Sequence, residues 1–139
     1  MRARCKADLY YLAHTVLGYG EHIPMREHAH RLLCRVVEGS TGNPEIDEAP
    51  YLLLLLPRDF GKSTIVTKTL PIQYLLRHPN TAGLIFNEKL ETAGQFLETI
   101  KYAFDSNDLF RSLFPELIPP SKQDTTWSGT KIKIERTTG

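Results

Sequence analysis

The stretch "LLLLLPRDFGKST", residues 52–64, gathers the side chains of this protein best suited to handling a phosphate. Gly61, Lys62 and Ser63 match the end of the phosphate-loop pattern G-x-x-x-x-G-K-S/T. The chemistry explains the residue types. A triphosphate is cradled by backbone N–H groups of a tight loop and by the start of the helix that follows. Gly61 lets the backbone approach without an intervening side chain. Lys62 supplies a point charge to the outer phosphates, and Ser63 offers a hydroxyl to Mg²⁺. The pattern departs from its usual form at position 56, where a leucine, Leu56, stands in place of the first glycine. Inside the loop, Arg58 carries a planar fork that suits phosphate oxygens and could stabilise transition-state charge, as an arginine finger does. Asp59 reads as a solvated turn residue.

A phosphate loop needs a strand before it and a helix after it. "YLLLLL", residues 51–56, is a continuous apolar run between Pro50 and Pro57. Leucine is not a strong strand former, so a buried helix competes, but the short length between prolines favours a buried strand. The helix after Gly61 is expected to reach about Arg77, kinked or split at Pro71. "TAGLIF", residues 81–86, reads as a second buried strand, and residues 130–135, "TKIKIE", alternate as a third. Between them, residues 88–104 place Leu90, Ala93, Leu97, Ile100 and Phe104 on one helical face, and "DLFRSLF" suggests one short turn before Pro115. Upstream, two helices are expected. Residues 8–17 are closed by Gly18. Residues 25–38 carry a stripe of Ala29, Leu32, Leu33, Val36 and Val37 and are closed by Gly39. "GSTGNPEIDEAP" is a polar loop. The order strand, helix, strand, helix, strand predicts an α/β fold with a mostly parallel sheet. A helical lead-in over residues 1–50 precedes a core over residues 51–139.

Bulk properties narrow the setting. Seventeen basic residues face sixteen acidic ones, a balance that argues against a protein whose work is to coat nucleic acid. Cys5 and Cys34 give neither a disulfide framework nor a C-x-x-C pattern, which fits a reduced intracellular setting. No apolar run is long enough to span a bilayer. The basic N-terminus lacks the apolar stretch of a signal peptide.

"LLLPRDFGKST" resembles the deviant Walker A loop of the large terminase subunits of tailed bacteriophages, which carries an arginine and dispenses with the first glycine. The likeness continues through residues 68–117, from "KTLPIQYLLRHPN" to "LFPEL", and "WSGTKIKIER" resembles the segment before the family's next core strand. The resemblance implies an N-terminal ATPase of the additional-strand P-loop class, followed by an RNase H-like nuclease. It implies ATP and Mg²⁺ as cofactors, with Pro57, Arg58, Asp59, Phe60, Gly61, Lys62, Ser63 and Thr64 forming the nucleotide site. Arg58 and Lys62 would act in catalysis, Ser63 would meet the metal, and Thr64 would support the loop. The implied partners are double-stranded DNA, a portal protein, a small terminase subunit and further copies of the chain. The implied setting is the host cytoplasm at the procapsid. The alternatives are another P-loop NTPase, such as a helicase or nucleotide kinase, and a non-catalytic remnant.

A Walker B strand, ending in Asp with an adjacent Glu, is expected just beyond this sequence, so the chain reads as the N-terminal part of such an ATPase, inactive alone. "GLIFNE" imitates that pattern, but Glu88 reads better as a first-turn helix residue. His22, His28, His30 and Cys34 invite a metal, yet their spacing offers at most a pair, and a solvated helix face is expected. Tyr10, Tyr11, Tyr19 and His28 are candidates for contact with adenine, with core packing the plainer role. Trp127 is expected to pack on the sheet. Lys131, Lys133 and Arg136 are expected on a solvated strand face, with DNA contact the alternative.

Overall fold

A computed structural model of the chain describes residues 1–78 and 81–118. It divides between residues 80 and 81 into two compact units, with Met1 and Arg2 grouped with the later one.

The first unit is built from helices. α1 (Arg2–Ala7) leads into it. α2 (Leu9–Tyr11) is capped by Asp8, whose carboxylate accepts the Tyr11 N–H at 2.8 Å. It continues as a π-helical stretch, Leu12–Val16, and ends where Gly18 takes φ 75°. A short α3 (Tyr19–His22) precedes α4 (Glu27–Glu38), which Gly39 closes at φ 62°, accessible to glycine without steric cost. α5 (Pro44–Asp47) lies inside the polar loop and is capped by Asn43. α6 opens as a π-helical stretch, Ser63–Thr69, and continues as α-helix, Leu70–Arg77. Its change of pitch falls next to Pro71, which has no N–H to donate and whose ring crowds the preceding turn. There the Leu70 N–H reaches back five residues to the Ile65 carbonyl. Leu9, Tyr10, Leu33, Cys34 and Ile65 form the buried cluster, with Met25, Val37, Leu54, Leu56, Val66 and Leu70 packed around it.

The second unit centres on α7 (Leu90–Ser106) and α8 (Asp108–Leu113). Asn107 caps α8 by accepting the Phe110 N–H at 2.8 Å. Phe104 meets Phe110 edge-on with ring centroids 5.1 Å apart, and Phe114 follows at 5.1 Å from Phe110. All three rings are buried. Burial of each stabilises the unit by about 2–3 kcal/mol.

The expected α/β fold with a mostly parallel sheet, and with it the additional-strand P-loop architecture, is overturned. Among the described residues there is no strand. Residues 51–56 do alternate: Leu54 and Leu56 turn to the buried cluster, while Tyr51, Leu53 and Leu55 are 91%, 83% and 81% exposed. That is the side-chain period of a strand without a ladder partner. Apolar patterning sets which side of a segment is buried, but a strand exists only where a second segment supplies hydrogen bonds. Residues 81–86 likewise lack a partner, and Leu84 and Phe86 stand in solvent. The third expected strand, residues 130–135, lies outside the described residues, as do Trp127, Lys131, Lys133 and Arg136.

Candidate functional site

The loop at residues 57–62 is positioned from both ends. Leu54 and Leu56 anchor its approach to the buried cluster. Buried Thr64 and Ile65 anchor its exit into α6. Between them the backbone enters the left-handed region twice, at Asp59 with φ 59° and at Gly61 with φ 69°. Aspartate is among the few non-glycine residues that tolerate this region. The Ile65 N–H closes the exit by donating to the Gly61 carbonyl at 3.0 Å.

Phe60 fixes the middle of the loop. Its ring stacks on the imidazole of His30 with centroids 4.5 Å apart and planes 13° from parallel. His30 Nε2 lies 3.1 Å from the Phe60 carbonyl oxygen. His30 Nδ1 lies 3.0 Å from the Arg26 carbonyl oxygen, at the start of α4. Both partners are acceptors, so a neutral imidazole can donate to one of them and an imidazolium to both. Sequence reasoning placed His30 on a solvated face; the side chain is 2% exposed and belongs to the interior. The signal was present in its spacing. Leu33 and Cys34 lie three and four residues on, so His30 shares their face. The buried stripe of α4 is accordingly His30, Leu33 and Cys34, and Leu32 is exposed.

The loop presents its polar groups outward. Pro57, Arg58, Asp59, Lys62 and Ser63 are exposed, while Phe60 and Gly61 are half-buried. Arg58 and Lys62 have no ion-pair or hydrogen-bond partner among the described residues, so both cations are available to a ligand. Thr64 points inward, and its carbonyl accepts the Thr69 hydroxyl at 2.8 Å. The first turn of a helix leaves N–H groups without intrahelical partners. Here that turn carries Lys62 and the exposed Ser63 hydroxyl, and Arg58 stands four positions before Lys62 in the same loop. This donor set fits a polyphosphate. A Mg²⁺ ion bound through phosphates asks the protein for few ligands, and Ser63 Oγ is of the right type.

A buried polar junction holds α6 in place. Glu38 Oε1 accepts from the Leu9 N–H at 3.1 Å, from Gln73 Nε2 at 2.6 Å and from the Arg77 guanidinium at 2.8 Å. Burial pushes the Glu38 carboxyl above its ordinary range, against the opposing pull of Gln73, Arg77 and Leu9. One carboxylate thereby links α2, α4 and α6.

Other candidates resolve into structure. Burial pushes the Cys34 thiol up to about 12 and raises that of Cys5, so both stay protonated and unreactive near neutrality. Tyr10 and Tyr11 are buried. Tyr19 is half-buried, and His22 and His28 are exposed. No group of three or more potential metal ligands forms among the described residues. A shallow cleft of about 270 Å³ is lined by Asp8, Tyr10, Arg31, Arg35 and Glu38. Its Arg31 is already paired with Glu27 and Asp8 and lies over the Tyr10 ring. Glu88 sits in a bend before α7. No described helix is long and apolar enough to cross a membrane.

Comparison of the chain with protein-family models, with curated proteins and with solved structures finds no match.

Proposed function

We infer that residues 57–64 bind the phosphates of ATP with Mg²⁺, and that the chain is the ATP-binding part of a DNA-packaging motor of the large-terminase kind. The observation that carries the nucleotide reading is the turn at Gly61. It delivers two exposed groups, Lys62 and Ser63, to the start of α6, with the exposed Arg58, which has no partner among the described residues, four positions before Lys62. Lys62 and Arg58 supply the positive charge that a triphosphate requires, the N–H groups of the turn supply directional donors, and Ser63 supplies the oxygen for Mg²⁺. When bound, the metal would neutralise phosphate charge. The packaging role, with double-stranded DNA, portal protein and small subunit as partners in a host cytoplasm, rests on the likeness of "LLLPRDFGKST" and the residues after it to the terminase pattern.

Isothermal titration of ATP in the presence of Mg²⁺ tests the nucleotide reading. The wild-type chain is expected to bind, and Lys62→Ala to bind at least about tenfold more weakly, the loss of one charge-assisted contact. Equal affinity in the two proteins would remove residues 57–64 as a phosphate site.

A further inference from the structure

One side chain outside the loop makes two contacts with it. His30 reaches the loop from α4 in two ways: its ring lies flat on Phe60, and its Nε2 meets the Phe60 carbonyl at 3.1 Å. Its other nitrogen lies 3.0 Å from the Arg26 carbonyl, and in the neutral tautomer that donates to Phe60 this nitrogen carries no proton. The Phe60 carbonyl sits between the two left-handed residues, Asp59 and Gly61. Turning that carbonyl changes ψ of Phe60 and φ of Gly61, and it carries the Gly61 N–H of the same peptide plane with it. His30 also closes the inner side of the turn, its Nε2 lying 3.7 Å from where a Cβ on Gly61 would be.

We propose that His30 is a positioning residue for the phosphate loop: by donating to the Phe60 carbonyl and stacking on its ring, it holds residues 58–63 in the conformation that binds polyphosphate. The proposal rests on the nucleotide reading above and adds to it a residue outside the loop, thirty positions upstream of Phe60. His30 does not touch the ligand. It acts through Phe60, so its removal loosens the loop before any nucleotide is present.

Three substitutions separate the parts of the contact. His30→Phe keeps the stack and the volume and removes both nitrogens. His30→Asn keeps a donor near the Arg26 carbonyl and is too short for the loop. His30→Gln can return a donor to the Phe60 carbonyl. Hydrogen exchange of the buried Ile65 amide, which closes the loop by donating to the Gly61 carbonyl, in the ligand-free protein is the first readout, and titration with ATP and Mg²⁺ is the second. His30→Phe and His30→Asn are expected to exchange about tenfold faster and to bind about tenfold more weakly, the worth of one net buried hydrogen bond. His30→Gln is expected to recover most of both. Should His30→Phe fail to fold, His30→Asn and His30→Gln make the same comparison. Unchanged exchange in His30→Phe and His30→Asn would overturn the proposal whatever the binding result. Faster exchange with wild-type affinity would overturn the positioning role. A wild-type chain that ignores ATP would overturn the nucleotide reading and this role with it, with the exchange result still reporting whether His30 holds the loop.

Discussion

Glu38→Ala tests the junction that seats α6, and its cost can be worked from the contacts. Glu38 Oε1 takes three donors: the Leu9 N–H, Gln73 Nε2 and the Arg77 guanidinium. The Gln73 side chain is fully buried, and that of Glu38 is only 5% exposed. Truncation leaves the Leu9 N–H without its acceptor, at about 1–3 kcal/mol, and leaves the Gln73 amide only its longer bond to the Cys5 carbonyl at 3.4 Å, at about 1 kcal/mol. Arg77, with about a third of its side chain in solvent, can turn to water and contributes little. The expected loss is therefore about 2–4 kcal/mol, a large share of a typical domain's stability. Urea unfolding followed by circular dichroism measures it. Glu38→Gln keeps an acceptor oxygen and is expected to cost about 1 kcal/mol or less near neutrality.

The same pair of proteins carries a pH signature. Burial raises the folded-state pKa of Glu38 above its ordinary value of 4.5. The folded protein therefore holds this proton more tightly than the unfolded chain does. The contribution of Glu38 is fully present below pH 4.5 and is lost as pH rises through the folded value. The stability of wild type relative to Glu38→Gln should fall across that window and then level off. A Glu38→Ala cost below about 1 kcal/mol would refute the junction's structural role. A wild-type-to-Gln difference independent of pH would refute the effect of burial.

Two further substitutions probe the loop itself. Gly61→Ala meets no clash, since its Cβ would stand 3.7 Å from His30 Nε2, but φ 69° is strained for alanine and should cost about 1–2 kcal/mol by urea unfolding; Asp59→Gly, at φ 59°, should cost nothing or stabilise slightly, and the opposite order would refute the left-handed turn. Arg58→Ala should leave stability within about 0.5 kcal/mol, since Arg58 has no partner among the described residues, yet weaken ATP binding measured by titration; unchanged affinity would return Arg58 to a solvated turn residue.

The longer helices are legible because each carries its own punctuation, whereas the short α1, α3 and α5 (the last inside the expected polar loop) are not. Gly18 and Gly39 end helices where the sequence places them, both in the left-handed conformation that glycine tolerates best. The helix after the loop ends at Arg77 as expected, and Pro71 marks its change of pitch. Two further features were not legible, for different physical reasons. The expected strands at residues 51–56 and 81–86 do not form a ladder among the described residues because pairing is not a local property. Residues 51–56 show alternating burial, yet a ladder needs a neighbour, and sequence pattern alone does not supply one. His30 escapes the apolar stripe Ala29, Leu32, Leu33, Val36 and Val37 because a histidine is not counted as apolar, although it lies three and four residues before the buried Leu33 and Cys34 while Leu32 is exposed. That omission concealed the contact that matters most to the loop.

The two misreadings bear on one another. A conventional phosphate loop is stiffened by the strand that enters it, and its first glycine shapes the entrance. Here position 56 is a leucine that packs into the buried cluster, and the entering segment has no ladder among the described residues. The restraint that a strand would provide must come from elsewhere, and the contact observed is lateral, from His30 on α4 to the Phe60 ring and carbonyl. On this view Leu56 and His30 act together. Leu56 fixes the height at which the chain leaves the core, and His30 fixes the turn that follows. A side-chain anchor has a property that a strand lacks: one substitution on another helix can release it while the motif Gly61-Lys62-Ser63 stays intact. Loss of phosphate binding in a chain whose motif is unchanged is therefore the outcome that would distinguish this arrangement from a strand-held loop.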